Sequence, residues 1–452
     1  MNRRHLGSWA KVALSVGVLS WSGRAAAGND DQLPVGGEAS IYGGAVIATV
    51  SDGAAGYHNP AGLAQSQRNQ LDASIMATGF RFYTASQLLH SPSGESTGVT
   101  MMEFVMAPTS GTYTRRLNDK LVASFGIFSP RTQFLIMQKA LRLAEPSPQG
   151  TDWNVAINSI IFTYLIGPSL AYQVSGNFAL GGSLHVLYNF EDAAAQAAGA
   201  ERASGAQPPQ QPFLANSQLF VRSTYGLQLG WGFQWQPSDQ YRVGFSMQTP
   251  GLQVLTWRQT TDSAGVSLPV SNSGPVSTHT LDTGEGFQSK LQLVLPLRAG
   301  LGIARYFDWG RVEVDLAYQS ALPESELGPA RKAVLNGRIG AQYRVSHTLS
   351  LGAGLFSDRA ATEASSFGRV HVNMYGGTLG MATGTEHRLS PSERAKSLIF
   401  ASTLGLRYAY GHGEMGTLEV SPIAPGSPIA RPYQSPMVIH EIMLNFGSAL
   451  NF

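Results

Sequence analysis

The stretch Leu219–Trp235, LFVRSTYGLQLGWGFQW, decides the fold. Its odd positions include Leu219, Val221, Tyr225, Leu227, Leu229, Trp231, Phe233 and Trp235; its even positions include Arg222, Thr224, Gly226, Gln228, Gly230, Gly232 and Gln234. A strand points successive side chains to opposite faces, so one face is greasy and ends in aromatics while the other is small or polar. The pattern recurs at 290–303, 311–318, 338–345 and 398–410.

Composition says where such strands belong. Only 13% of the 452 residues are charged, about half the share usual in soluble chains. Glycine is abundant, at 51 residues. The net charge of +2 gives no field for nucleic acid, and the absence of cysteine excludes disulfides and thiolate chemistry. Low charge, high glycine and two-faced strands suit a barrel with lipid outside and a polar lumen inside.

Alternation alone also fits a β-sandwich. The connections separate the two. Short ones, at 117–119, 175–177, 236–240, 307–310 and 346–348, alternate with long ones at 86–98, 129–154, 191–216, 258–287, 321–332, 357–368 and 411–436. Outer-membrane barrels have short periplasmic turns and long external loops. The connection 382–396, with Glu386, His387, Arg388 and Arg394, is long on the short side and has no assigned role. The chain ends in Phe452 after an alternating strand, which resembles the signal that barrel-assembly machinery reads. The expected strands are 69–85, 99–116, 120–128, 155–174, 178–190, 217–235, 241–257, 288–306, 311–320, 333–345, 349–356, 369–381, 397–410 and 437–452. They predict an all-β, 14-stranded antiparallel transmembrane β-barrel over residues 69–452.

At the other end, Arg3, Arg4 and Lys11 precede an apolar run from Val12 to Trp21, then Ala25-Ala26-Ala27. This is the layout of a signal peptide over 1–27. An anchor helix is the alternative, but about ten apolar residues are too few for a ~30 Å core. The address is the outer membrane of a diderm bacterium. Residues 28–68 follow, rich in Gly and Ala, with Pro60 fixing the backbone after Asn59. They are expected to form a hatch filling the lumen, since fourteen strands enclose too wide a bore for wall side chains to fill. The alternative is a loose periplasmic tail.

The run Gly43-Gly44-Ala45, Ala48, Asp52, Ala54-Ala55 and Asn59-Pro60-Ala61-Gly62-Leu63 resembles the N-terminal signature of the FadL family, outer-membrane transporters of long-chain fatty acids and other hydrophobic compounds. YTRRLNDKLVASFGIFSP, GPSLAYQVSGNFALGGSLHVLY, FQWQPSDQYRVGFSMQTP and NGRIGAQYRVSHTLSLGAGLFSD are similar to its hairpins. The resemblance implies a hatch in which Asn59, Pro60, Ala61, Gly62 and Leu63 gate the lumen. It also implies capture of substrate by external loops and sideways exit at a kink in the third strand, here 120–128, where Gly126 stands. The implied partners are hydrophobic small molecules (fatty acids or aromatics), outer-membrane lipid and lipopolysaccharide, and barrel-assembly machinery. The chain is expected to be a monomer without cofactor or metal.

Residues themselves suggest further candidates. The segment 131–144, RTQFLIMQKALRLA, is expected to be an external loop with a short amphipathic helix, on which Phe134, Leu135, Met137 and Leu141 form a capture patch. Packing on the barrel rim is the bland alternative. A carboxylate head group needs a cation, and Arg222, Lys290, Arg298 and Arg338 are the candidates, with Arg344 and Arg407 also on the lumen face. These same cations read more often as lumen salt-bridge partners of Glu313, Asp315 and Glu441. Gly94-Glu95-Ser96-Thr97-Gly98 matches a nucleophile-elbow motif by letters, without the strand–turn–helix setting it needs; Asp282-Thr283-Gly284 matches the aspartic-protease triplet only by letters. No enzyme is expected. Two other functions compete with passive transport: a scaffold or shuttle for secretion and surface assembly, and a water-filled porin.

Overall fold

The computed structural model describes residues 33–144, 150–201, 213–267, 277–323, 325, 330–362, 369–388, 397–420 and 430–452. The expected signal peptide lies outside the described residues. Seventeen strand segments follow one another: β1 (Gln70–His90), β2 (Ser96–Arg116), β3 (Leu121–Leu143), β4 (Thr151–Ser175), β5 (Phe178–Glu201), β6 (Phe213–Ser238), β7 (Tyr241–Gln248), β8 (Gly251–Ser267), β9 (Ser277–Gln288), β10 (Leu293–Leu295), β11 (Arg298–Phe307), β12 (Gly310–Gln319), β13 (Val334–Arg344), β14 (Leu349–Asp358), β15 (Val370–Arg388), β16 (Ser397–Val420) and β17 (Ala430–Asn451). All belong to one sheet. β1 pairs antiparallel with β2 on one side and on the other with β17, from Gln70↔Asn451 to Ala85↔Met437, so the sheet closes on itself.

The opening stretch behaves as its alternation demands. Arg222, Thr224, Gln228 and Gln234 are buried inside, while Tyr225, Leu227, Leu229, Trp231 and Trp235 are exposed on the outer face. The outward faces of the other walls carry Leu301, Ile303, Val314, Leu316, Leu404 and Leu406 in the same way. A closed sheet that is apolar outside is the way strands cross a bilayer, since every backbone group is paired within the ring. Among the described residues no helix is long and apolar enough to do so. The protein is an outer-membrane β-barrel.

Seventeen segments replace the fourteen expected runs because two runs are interrupted. β7 and β8 both pair with β6 but are separated at Thr249–Pro250. On the neighbouring wall β11 pairs with β7, while β10 and β9 pair with β8, with breaks at Pro296–Leu297 and at 289–292. The breaks lie side by side, between Gln248↔Arg298 and Gly251↔Leu295. Proline brings no N–H to a ladder, and here one proline stands in each strand at the same level.

The expected external loops are largely strand. β3 and β4 stay paired as far as Leu143↔Thr151, β5 and β6 as far as Gly199↔Phe213, and β16 and β17 as far as Val420↔Ala430. Ladder bonds need only a neighbouring strand, so they continue beyond the reach of lipid-facing alternation. The amphipathic helix expected over 131–144 is likewise strand. Each residue from Arg131 to Leu143 has a partner on β4. Apolar residues at 134, 137 and 141 mimic helical spacing, whereas 135, 137, 141 and 143 share one strand face. On the opposite side of the barrel the 382–396 connection continues as β15 and β16 from Gly384↔Ala401 to Arg388↔Ser397; its tip, with Arg394, lies outside the described residues.

The leader before β1 holds two short helices, α1 (Gly37–Ile41) and α2 (Ala55–His58), and a 3₁₀ turn at Pro60–Gln65. It bonds to Asp72 of β1, Phe233 of β6, Asp315 of β12 and Thr378 of β15. A segment that reaches all sides of a closed ring lies within it. The wall makes room by glycine: a Cβ on Gly244 of β7 would stand 2.3 Å from the Ile47 carbonyl oxygen. Gly244→Val is therefore expected to cost about 1–3 kcal/mol by overpacking, seen as a lower midpoint in a heat-modifiability gel series. An unchanged midpoint would place the leader away from β7.

Candidate functional site

Asn59 organises the leader. It caps the 3₁₀ turn, accepting the Ala61 N–H at 3.3 Å, and Pro60 takes the first position of that turn, where its missing N–H costs nothing. Its side-chain amide donates to Ile47 O at 2.8 Å and to Phe233 O of the wall at 3.0 Å. Asn59 is fully buried, as are Ala61 and Leu63; Pro60 and Gly62 are buried beside them. The five residues singled out in the sequence thus form one seat against β4, β5 and β6. Gly62 is required there, because a Cβ would lie 2.1 Å from Val50 O.

Irregular backbone inside a barrel leaves amides without partners. The wall supplies carboxylates. Val46 and Ile47 N–H donate to Asp315 Oδ2 at 2.8 and 3.0 Å, and Ala48 N–H to Glu313 Oε1 at 2.6 Å. The Thr49 hydroxyl donates to the second Glu313 oxygen. Three successive N–H groups form a nest for negative charge, filled here by two residues of β12. Gly53 N–H donates to Asp72 at 3.1 Å, while Gln234 and Gln248 donate to the carbonyls of Val50 and Tyr57. Glu313 and Asp315, read from the sequence as salt-bridge partners, serve the leader's backbone instead.

Above the leader the interior turns apolar. Phe128, Leu165, Leu187 and Leu295 gather around Tyr57 and Val35. Farther toward the long connections a larger cluster includes Leu135, Met137, Leu141, Trp153, Met374 and Met415. Leu135, Met137 and Leu141 therefore point into the bore. Phe134 faces another way, edge-on to Phe162 at 4.9 Å and against Leu33, Val105, Ala107 and Met443.

The cation candidates divide. Arg222 is ion-paired to Glu191 at 2.5 Å. Lys290 is exposed in the break between β9 and β10, and Arg344 is exposed at the short-turn end. Arg407 bonds Glu441 at 2.8 Å and stacks on Phe356. Arg298 and Arg338 share a cavity of about 70 Å³, with Tyr57 and His58 at its edge, and Arg338 also lines a smaller one with Arg407. Arg298 donates to the Tyr57 hydroxyl at 2.9 Å and Arg338 to Gly44 O at 3.4 Å. Arg81, which bonds Glu441 at 2.7 Å deep inside β1, escaped the sequence reading. It stands between Phe80 and Phe82, outward-facing residues that make its neighbourhood read as purely greasy.

The wall itself has a seam. β2 and β3 pair only from Arg116↔Val122 to Ser110↔Phe128. Beyond that β2 continues on β1 and β3 continues on β4, but not on each other. β3 shifts register at Ser129–Pro130, just past the 120–128 stretch in which a kink was expected. Leu33 N–H donates to Pro130 O at 3.1 Å, so the leader's first described residue sits at the foot of the seam.

On the short-turn side a polar cavity of about 410 Å³ lies between the leader and β1, β15, β16 and β17, lined by Glu38, Asp52, Asp72, Thr403 and Asn451 among others. The remaining motif candidates dissolve. Gly94 sits in a turn at φ +97° and Ser96 opens β2, so no helix follows the serine. Asp282-Thr283-Gly284 lies along β9.

No family model matches the sequence, and no curated protein matches it. Solved structures do match. A Pseudomonas aeruginosa FadL homologue aligns over 92% of this chain and 98% of its own, at 12% identity and a TM-score of 0.55. The Pseudomonas putida toluene transporter TodX aligns over 93% and 99%, at 15% and 0.54. The Ralstonia pickettii toluene transporter TbuX aligns over 92% and 98%, at 12% and 0.53. The chain has the fold of these proteins.

Two expectations follow from the leader. Asn59→Ala removes three buried hydrogen bonds, a loss of about 2 kcal/mol or more, and should raise ion conductance in planar bilayers; silent bilayers would mean the seat does not hold the leader. Asp52 supplies the second. Burial, reinforced by Glu38 and Asp72, pushes its carboxyl well above the usual carboxylate range. The folded form then keeps a proton that the unfolded form has lost, so stability present at low pH falls as pH rises from the unfolded value through the folded one. Asp52→Asn should stabilise the protein at neutral pH and flatten this dependence in unfolding measured from pH 4 to 8; an unaltered slope assigns it to another group.

Proposed function

We propose that this protein is a passive outer-membrane channel for hydrophobic compounds. In this reading the signal peptide 1–27 is removed, residues 28–68 form the hatch, and 69–452 form a wall of fourteen strands once each interrupted strand is counted whole. One observation carries the proposal: an apolar lining runs from the long-connection side down to the hatch and meets the β2–β3 seam there, while the way straight on is filled by the hatch, beyond which lies the cavity lined by Glu38, Asp52 and Asp72.

Hydrophobic molecules cross the sugar layer of an outer membrane poorly. An apolar bore lowers that barrier, because each buried CH₂ contributes ~0.8 kcal/mol. The inward residues Leu135, Met137 and Leu141 receive the molecule, with methionine adapting its shape to different guests. The seam then releases it sideways into the bilayer, without passage through the polar cavity. Consumption inside the cell sets the direction.

Long-chain fatty acids are the proposed substrates. Arg298 and Arg338 at one cavity beside the hatch supply two guanidiniums for a carboxylate head, with the acyl chain in the apolar cluster. Arg222, paired to Glu191, and the exposed Lys290 are poorly placed for that task. The fold shared with two toluene transporters makes neutral aromatics the natural comparison substrates.

Uptake of radiolabelled oleate and toluene by cells with and without the protein tests this. The protein is expected to accelerate oleate uptake. Arg298→Met/Arg338→Met is expected to lower oleate uptake about tenfold, the worth of one charge-assisted bond, and to spare toluene. Equal uptake of both compounds with and without the protein refutes the channel and leaves the scaffold reading. An equal effect of the double variant on both compounds removes the head-group role.

A further inference from the structure

Along the seam the backbone ladder between β2 and β3 is replaced by side chains. At the outer end Thr97 Oγ1 donates to Arg142 O at 3.1 Å, and Glu95 Oε1 accepts the Ala144 N–H at 2.8 Å. At the foot stands the Leu33–Pro130 bond. Between them Phe134 N–H donates to Glu103 Oε1 at 2.5 Å, joining β3 to β2.

Glu103 is 2% exposed, and its neighbours on the same face of β2 are Met101 and Val105, both buried. A carboxylate in such surroundings is costly unless it is held. It is held from behind. The Tyr83 hydroxyl donates to its second oxygen, and Arg81 Nη1 lies 3.6 Å away. Arg81 and Arg407 both bond Glu441, so two arginines and two glutamates balance inside the wall. A backbone partner would have satisfied the Phe134 amide without any charge. It would also have committed the whole upper half of β3, because ladder bonds break in rows. A side-chain acceptor releases its donor by rotation of one residue.

We propose that Glu103 is the positioning residue that keeps the lateral seam shut: its carboxylate stands in for the missing β2 backbone partner and holds the outer half of β3 until a passing guest displaces it. This rests on the lateral-exit reading above. Ser129–Pro130, where the register shifts, is the hinge below it. Val105, Ala107 and Phe134 line the interval between Glu103 and Leu33, which is the window the guest uses.

Hydrogen–deuterium exchange on the full barrel in lipid nanodiscs reads the hold directly. In Glu103→Ala the peptide 131–138 is expected to exchange about tenfold faster than in wild type, with peptide 159–174 of β4 unchanged. Glu103→Gln, which keeps an acceptor oxygen, is expected to restore most of the protection. Wild-type exchange in Glu103→Ala, or equal acceleration in both variants, overturns the proposal. If Glu103→Ala does not fold, Tyr83→Phe loosens the carboxylate without uncovering Arg81 and should give a smaller acceleration at the same peptide; none there overturns it. Oleate uptake through the variants separates the two readings. No uptake through wild type sinks the channel while exchange still decides the seam. Faster exchange with uptake unchanged from a working wild type means that the seam Glu103 holds is not the exit.

Discussion

A backbone amide away from water must have a partner, and nearly every feature of this protein is a way of meeting that demand. The wall meets it by closing β1 on β17. The leader has no ladder to join, so β12 offers Asp315 and Glu313 to three successive amides, and Asn59 turns its side chain into a three-way connector between leader and wall. Where two neighbouring strands decline to pair, side chains again take up the backbone groups. Carboxylates thus serve backbone groups as well as the cations around them.

That division explains what the sequence could and could not say. Period-two alternation is a property of a strand's two environments, so Leu219–Trp235 announced its inner and outer faces residue by residue. The NPAGL run announced a structured seat because proline after asparagine leaves the backbone little choice. Beyond the bilayer both faces are wet or both are packed, alternation fades, and 131–144 read as a helix though β4 holds it as strand. Pairing between strands is written in neither partner alone. The end of the β2–β3 ladder at Ser110↔Phe128 therefore had no signature except Pro130. Among the cations, lumen-facing position was legible for Arg298 and Arg338, but their shared cavity depends on Tyr57 and His58 in a distant segment.

Polarity is graded along the bore. The far side is lined by aliphatic, aromatic and thioether groups, the middle by amides and carboxylates that grip the leader, and the near side by hydroxyls and acids around open space. A greasy molecule travelling inward loses favourable contact the deeper it goes. The seam lies where that loss begins, and the outward faces beside it, Met102, Phe104 and Met106 of β2 and Ile136 of β3, are again apolar. Sideways departure is downhill in a way that straight passage is not.

The bore's adaptable lining has a chemical weakness. Met101, Met137, Met374, Met415 and Met437 all belong to the larger cluster, and the chain contains no cysteine that would react first. Peroxide turns each thioether into a sulfoxide, a polar and chiral group. Oxidative damage would therefore wet this passage from within while every strand stayed paired.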